Sequence, residues 1–189
     1  MSKRKVRSNA FANGFWICVY NTKRIVGDGR KTRRRNMRAE TRLFGVIDIP
    51  DEKLIILENG MIGFPEMQHF ALIFDAEKEN GGKIKWLQSM DDPATAFPVM
   101  DPTIIKKDYN PSINDEILKP LGELSDDNIF VLSTVTVPKQ LENMSINLKA
   151  PIVINSDTMK GAQIIVEDDL PVKYMIYDLL KSRKEKAGE

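Results

Sequence analysis

The apolar residues of this chain fall in short runs separated by turn residues, a spacing that leaves room for many strands and few helices. From Thr41 the order is "TRLFGVIDI", Pro50-Asp51, "KLIILE", then Asn59-Gly60, a dipeptide that signals a tight turn. "FALIFD" at 70–75 precedes a polar stretch ending in Gly81-Gly82. "KIKWLQSM" at 83–90 alternates in part, with Ile84, Trp86 and Gln88 on one face. The clearest strand is "NIFVLSTVTV" at 128–137. Ile129, Val131, Val135 and Val137 share one of its faces, and Phe130 and Leu132 share the other with Thr134 and Thr136. Both faces are partly apolar, so this strand is expected to be central. "APIVINS" and "GAQIIVED", separated by "DTMK", read as a hairpin.

Helix signals are few. "NDEILKPLG" at 114–122 offers Asn114 as an N-cap, acids in the first turn and Gly122 beyond the end, while Pro120 limits it to little more than one turn. "YMIYDLLKSR" at 174–183 fits a terminal helix or a strand, and the tail "KSRKEKAGE" is polar. The expected fold is mainly β: a single small domain, sandwich or barrel, with one or two short helices.

Charge divides the chain near Met37. The net charge of +1 is the sum of +10 over residues 1–36 (11 Lys+Arg, one acid, Asp28) and −9 over residues 37–189 (17 Lys+Arg, 26 Asp+Glu). Three readings of the basic segment arise. A secretory signal needs an uninterrupted apolar core, which Asn13 and Gly14 break. A basic arm would condense on nucleic-acid phosphate. The third reading is that Arg33-Arg34-Arg35 is a purine-rich ribosome-binding site read as protein, with Met37 as the true start. The third is adopted as the expectation. Residues 1–36 are accordingly expected to form a basic extension outside the fold, with the β domain spanning 37–189.

No run approaches the roughly 18 apolar residues of a membrane helix. The single cysteine, Cys18, excludes an internal disulfide and fits a reducing compartment. The body has one histidine, His69, no cysteine, no P-loop and no G-x-G-x-x-G. Zinc and nucleophile–base catalysis are therefore poorly supported, and no cofactor is expected.

Carboxylates remain. "LQSMDDPATAFPVMDP" at 87–102 carries Asp91, Asp92 and Asp101, two of them in Asp-Pro pairs. A carbohydrate-active β-domain would use such groups, or Glu167, as an acid/base pair. Neighbours such as Asp91 and Asp92 point oppositely on a strand, however, and Asp and Pro are the residues that turns select. The turn reading is preferred. The acidic tract "VEDDLP" at 166–171 reads as a solvated edge that discourages strand pairing.

The order of these motifs resembles the FliW family of flagellar assembly factors. "FGVIDIPDEKLIILENGMIGFPEMQHFALI" is similar to the family's opening, and "LQSMDDPATAFPVMDP" to its strand–turn–strand signature. "VTVP" followed by "NLKAPIVIN" and the G-x-Q of "GAQ" is similar to its most recognisable part. The similarity runs from about Met37 to Val166. Residues 1–36 have no counterpart, and the charged C-terminal stretch is longer than usual. The resemblance implies a small β-barrel-like fold, no enzymatic activity, a cytoplasmic location and two protein partners. These are flagellin, which such factors chaperone, and the translational repressor CsrA, which they antagonise to relieve repression of flagellin mRNA. Direct contact with nucleic acid or membrane is not expected.

Candidate partner-binding residues follow. Asp91, Asp92 and Asp101 are the expected repressor face. Met61 and Phe64 in "NGMIGFP" either pack on the core or form an exposed apolar lip for flagellin's terminal helices. Asn147 and Asn155, flanking "PIVI", are further candidates, although strand packing and edge hydrogen bonds also account for them.

Overall fold

The computed structural model describes residues 2–6, 19–20, 35–75 and 83–187. In chain order the strands are β1 (Lys3–Lys5), β2 (Val19–Tyr20), β3 (Asn36–Thr41), β4 (Gly45–Pro50), β5 (Ile55–Leu57), β6 (His69–Asp75) and β7 (Lys85–Ser89). They continue as β8 (Ala96–Met100), β9 (Ser112–Asn114), β10 (Ile129–Thr136), β11 (Ser145–Ile146), β12 (Ile152–Asn155), β13 (Lys160–Gln163) and β14 (Tyr174–Met175). Helix α1 (Asp115–Leu118) and helix α2 (Tyr177–Ala187) complete the α/β inventory.

Seven strands close on themselves in the order β12-β13-β5-β6-β7-β8-β10, with β10 returning to β12. Every neighbouring pair is antiparallel except β13–β5, which is parallel over Lys160↔Ile56 and Gly161↔Leu57. The expected β-barrel is therefore present.

Alternation along each strand sorts side chains into the barrel or onto its outer wall. Ile55, Leu57, Phe70, Leu72, Phe74, Leu87, Val99, Phe130, Leu132, Ile152 and Ile154 form the interior. Each contributes about 1.5–3 kcal/mol when fully removed from water. Strand β13 presents Gly161 to this interior. A Cβ there would stand 2.8 Å from Leu57 Cδ2 and 3.0 Å from both Ile154 Cγ1 and the Val153 carbonyl. The barrel closes because β13 brings no side chain into that space.

Two outer surfaces are also apolar and each is covered. Ile129, Val131 and Val135 of β10 and Val153 of β12 pack under the segment carrying Ile105, Tyr109, Ile113, Leu118 and Leu121. Strand β10 is thus buried on both faces and paired on both edges, as its composition implies. On the opposite wall, Ala71 and Ile73 of β6 are covered by Ala39, Ile47 and Ile49 of the β3–β4 hairpin.

Several sequence expectations are met in detail. Asn114 caps α1 by accepting from Glu116 N–H at 3.0 Å, and the helix gives way to a 3-10 turn at Lys119–Leu121. The 150–168 hairpin forms with Ile152 opposite Gln163. The 174–183 stretch, left open between strand and helix, divides into β14 and α2.

Two differ. "TRLFGVIDI" is not one strand, because residues 42–44 turn the chain between β3 and β4. The Thr41 hydroxyl drives this, accepting from Phe44 N–H at 3.0 Å and donating to the Gly45 carbonyl at 2.9 Å. The basic segment does not stand wholly apart either. Strand β1 pairs antiparallel with β9, β2 pairs parallel with β6, and Val6 is buried in the β10 outer cluster. Residues 1, 7–18 and 21–34 of that segment, including Cys18 and Arg33–Arg34, lie outside the described residues.

Gly161→Ala should destabilise the chain by about 1–3 kcal/mol, the usual cost of forcing a methyl group into a filled core. Urea unfolding of the two proteins side by side measures it.

Candidate functional site

The loop at 59–65, beside the barrel seam, carries two glycines at positive φ, Gly60 and Gly63. Gly60 (φ +65°) turns the chain out of β5, its N–H donating to the Leu57 carbonyl at 2.8 Å. A Cβ on Gly60 would lie 2.5 Å from the Phe64 carbonyl oxygen, so only glycine fits. Met61 and Phe64 then exchange both backbone hydrogen bonds, 3.2 and 2.8 Å, around a turn whose third residue, Gly63, has φ +90°.

This turn splits the loop's apolar side chains. Met61 is 3% exposed and packs in the barrel interior. Phe64 is 39% exposed and lies edge-on to Phe97 at 5.4 Å. Ile62, at the tip, is 52% exposed. Within "NGMIGFP", Met61 packs on the core, whereas Ile62 and, in part, Phe64 are exposed.

Gln163 ties the tip to the seam. Its Oε1 accepts from Ile62 N–H at 2.9 Å, and its Nε2 donates to the Ala150 carbonyl at 3.3 Å. On one side of this bridge lies an open groove of about 440 Å³ whose walls include Ile62, Thr134, Thr136, Lys149, Ile165 and Val172. On the other side a second groove, of about 400 Å³, runs along Ile117, Pro120 and Lys160 and shares Ile62, Gln163 and Ile165 with the first. The result is one trough across the seam. Ile165 (64% exposed) and Val172 (59%) lie in it with Ile62. Large aliphatic side chains this exposed, gathered on one rim, mark a surface suited to an apolar partner.

The three acidic residues expected at a repressor face each bond groups of their own turns or of a neighbouring strand. Asp91 Oδ2 accepts from the N–H groups of Gln68 and His69 at 2.6 and 2.7 Å, and its Oδ1 lies 2.9 Å from His69 Nδ1. Asp92 accepts from Ala94 N–H at 3.2 Å and from the Thr95 hydroxyl at 2.6 Å. Asp101, 2% exposed, caps the 3-10 turn at Pro102–Ile104 by accepting from Thr103 N–H and Oγ1 at 2.8 and 2.6 Å. Asp101 is therefore corrected from a surface contact to a buried cap. Its charge also acts on Lys85, a buried residue that the sequence did not single out. Burial pushes the Lys85 ammonium below its usual pKa, and Asp101 opposes that. The turn reading of "LQSMDDPATAFPVMDP" is the one realised. Gln88 reinforces it, with its amide nitrogen 2.8–3.1 Å from the carbonyls of Ser89, Pro93 and Thr95.

The asparagines also serve the backbone. Asn155 is fully buried, so it is corrected from a partner contact to an internal bridge. It donates to the Leu121 and Glu123 carbonyls at 2.9 and 3.0 Å and accepts from Asp157 N–H at 2.9 Å. Asn147 accepts from Lys149 and Ala150 N–H at 3.0 and 3.1 Å while lining the trough. Of the sequence-derived candidates, Met61 and Asn147 share the groove; Phe64, Asp91, Asp92, Asp101 and Asn155 are not among its walls. Ile62 belongs to the "NGMIGFP" loop already singled out; Gln163, Ile165 and Val172 were missed. Only the G-x-Q spacing hinted at Gln163. Among the described residues no three His, Cys, Asp or Glu side chains gather as a metal site.

Comparison with known proteins gives one result. A family model described as "FliW protein" matches residues 38–176. "Flagellar assembly factor FliW" of Lachnospira eligens is 44% identical over 150 residues, 78% of this chain and 99% of that protein. The same-named protein of Lachnoclostridium phytofermentans is 40% identical over 151 residues, 79% of this chain and 97% of that protein. A crystal structure titled as the flagellar assembly factor FliW superposes with a TM-score of 0.66 at 26% identity, covering 74% of this chain and 96% of that one.

Burial alone would raise the pKa of Asp91, but the His69 and Gln68 N–H groups and the His69 ring outweigh it and hold the carboxyl below its usual value. A depressed folded-state pKa stabilises the fold above the unfolded value, about 3.9, and that contribution is lost as pH falls through the lower folded value. Asp91→Asn should cost about 1–3 kcal/mol at neutral pH. The gap from the parent should narrow as pH drops below about 4, as thermal melts across pH will show.

Proposed function

The chain belongs to the FliW family, and from that premise we propose that it is a cytoplasmic binding protein that chaperones flagellin and antagonises the translational repressor CsrA. In this reading, flagellin and CsrA compete for the factor. When flagellin is exported, the freed factor occupies the repressor and flagellin mRNA is translated.

The observation that carries the reading is the trough across the barrel seam. Ile62, Ile165 and Val172 stand in water on its rim, and its floor belongs to a closed barrel that gives it a fixed shape. A terminal helix of flagellin, presenting apolar side chains on one face, buries such a rim at about 25 cal/mol per Å². The second partner is matched by charge. The body carries −9, and a repressor that binds RNA is basic, so opposite charge steers the encounter. Asp91 and Asp92 remain candidates for that face only through carboxylate capacity left over from their turn bonds. A carbohydrate-active site finds no support in the same carboxylates, which are engaged by backbone N–H, hydroxyl and ring groups. No described helix is long and apolar enough to cross a membrane.

Ile165→Asp should weaken flagellin binding at least tenfold while leaving the melting temperature nearly unchanged, because that side chain is already outside the core. Binding of CsrA should change less, and its association rate should fall as salt rises. Calorimetric titration of each partner at low and high salt measures both. Equal losses for the two partners would assign them to one surface.

A further inference from the structure

The outer edge of β9 carries a strand from a distant part of the sequence. Strand β1 lies antiparallel on it, with Lys3 opposite Asn114, Arg4 opposite Ile113 and Lys5 opposite Ser112. The ladder continues at both ends: Val6 N–H donates to the Pro111 carbonyl at 3.1 Å, and Asp115 N–H donates to the Ser2 carbonyl at 3.2 Å. The side chains follow the period of two that an extended segment imposes. Lys3 pairs with Glu167, and Lys5 Nζ lies 3.7 Å from Asp168 Oδ1. On the alternate side, Arg4 donates to the Leu124 carbonyl at 2.7 Å and lies 3.7 Å from Asp115, while Val6 is fully buried in the cluster that contains Tyr109 and Ile113.

Asp168 has two tasks here. It accepts from Ser112 N–H at 2.8 Å, pinning β9, and it faces Lys5. The family match spans 38–176, so β9, Asp115, Glu167 and Asp168 lie within the shared region and β1 does not. The acceptor surface thus belongs to the family's domain, and its occupant in this chain comes from outside it.

We propose that the edge of β9 is a docking site for a basic, extended segment of a partner protein, and that residues 3–6 of this chain occupy it as a tethered competitor. Three features define what fits. An open strand edge accepts an extended backbone by β-augmentation. Glu167, Asp168 and Asp115 select Lys or Arg at successive positions. The space filled by Val6 takes a small aliphatic side chain directly after them. Exposed ion pairs bind weakly by themselves, so the backbone ladder and the buried valine anchor the segment while the charges choose it. The inference goes beyond the proposed function and stands or falls separately from it.

The test uses the full 189-residue chain. The probe is a fluorescein-labelled peptide, Ser-Lys-Arg-Lys-Val-Arg, followed by anisotropy at low salt. The parent chain should bind it weakly, because its own copy is in place. Lys3→Glu/Lys5→Glu repels that copy from Glu167 and Asp168 and should tighten peptide binding at least tenfold. Adding Glu167→Gln/Asp168→Asn should abolish the gain; the amide at 168 still accepts from Ser112 N–H, so β9 keeps its anchor. Hydrogen exchange at the Asp115 amide should quicken in Lys3→Glu/Lys5→Glu and slow again on peptide saturation. Val6→Asp provides a second release of the strand. The proposal is overturned by unchanged peptide affinity in the released variants, by a gain that survives loss of the two acids, or by unaltered exchange at Asp115 in both released variants.

Discussion

Between Leu57 and Ile154 the barrel interior has no room for another side chain, and the position of nearly everything on the outside follows from that. Gly161 lets β13 lie parallel against β5, and this pairing converts an open meander into a closed barrel. Two residues on, Gln163 sits beside the loop that leaves β5 and holds Ile62 by its backbone N–H. The seam therefore fixes the tip of the 59–65 loop as well as the barrel wall. A side chain at 161 would push β13 away from β5 and would also displace the bridge that gives the trough its shape.

The remaining walls explain why the trough is where an apolar partner would meet the molecule. The β3–β4 hairpin covers the outside of β6 and β7, and the segment from Ile105 to Leu121 covers the outside of β10 and β12. Those layers bury the outward apolar residues of the strands beneath them, such as Ala71, Ile73, Ile129, Val131 and Val153. At the seam no such cover is present among the described residues, and Ile62, Ile165 and Val172 stay in water. Their exposure costs the isolated chain free energy that burial against a partner recovers.

Much of the fold was legible because local chemistry decided it. The two apolar faces of "NIFVLSTVTV" required burial on both sides, Asn114 and Pro120 bounded a short helix, and Asn59-Gly60 marked the exit from β5. The carboxylates of "LQSMDDPATAFPVMDP" were correctly assigned to turns for the same reason: Asp and Thr side chains bond backbone groups a few residues away. Long-range effects were not legible. The role of Gly161 depends on Leu57, about a hundred residues earlier. Asp101 and Asn155 look like surface polar residues in sequence, yet the fold buries both, Asp101 on its own turn and Asn155 against the carbonyls of Leu121 and Glu123, more than thirty residues earlier. The Thr41 turn was hidden inside an apolar run, and the pairing of β1 with β9 has no signal beyond opposite charge.

Backbone amide shifts of the isotopically labelled chain, recorded while flagellin is titrated in, test the trough as the flagellin-contacting surface. The expected result is perturbation concentrated at Ile62, Gln163, Ile165 and Val172, with the Asp91–Thr95 turn unmoved. Perturbation centred on that turn, with Ile62 and Ile165 unmoved, would contradict it.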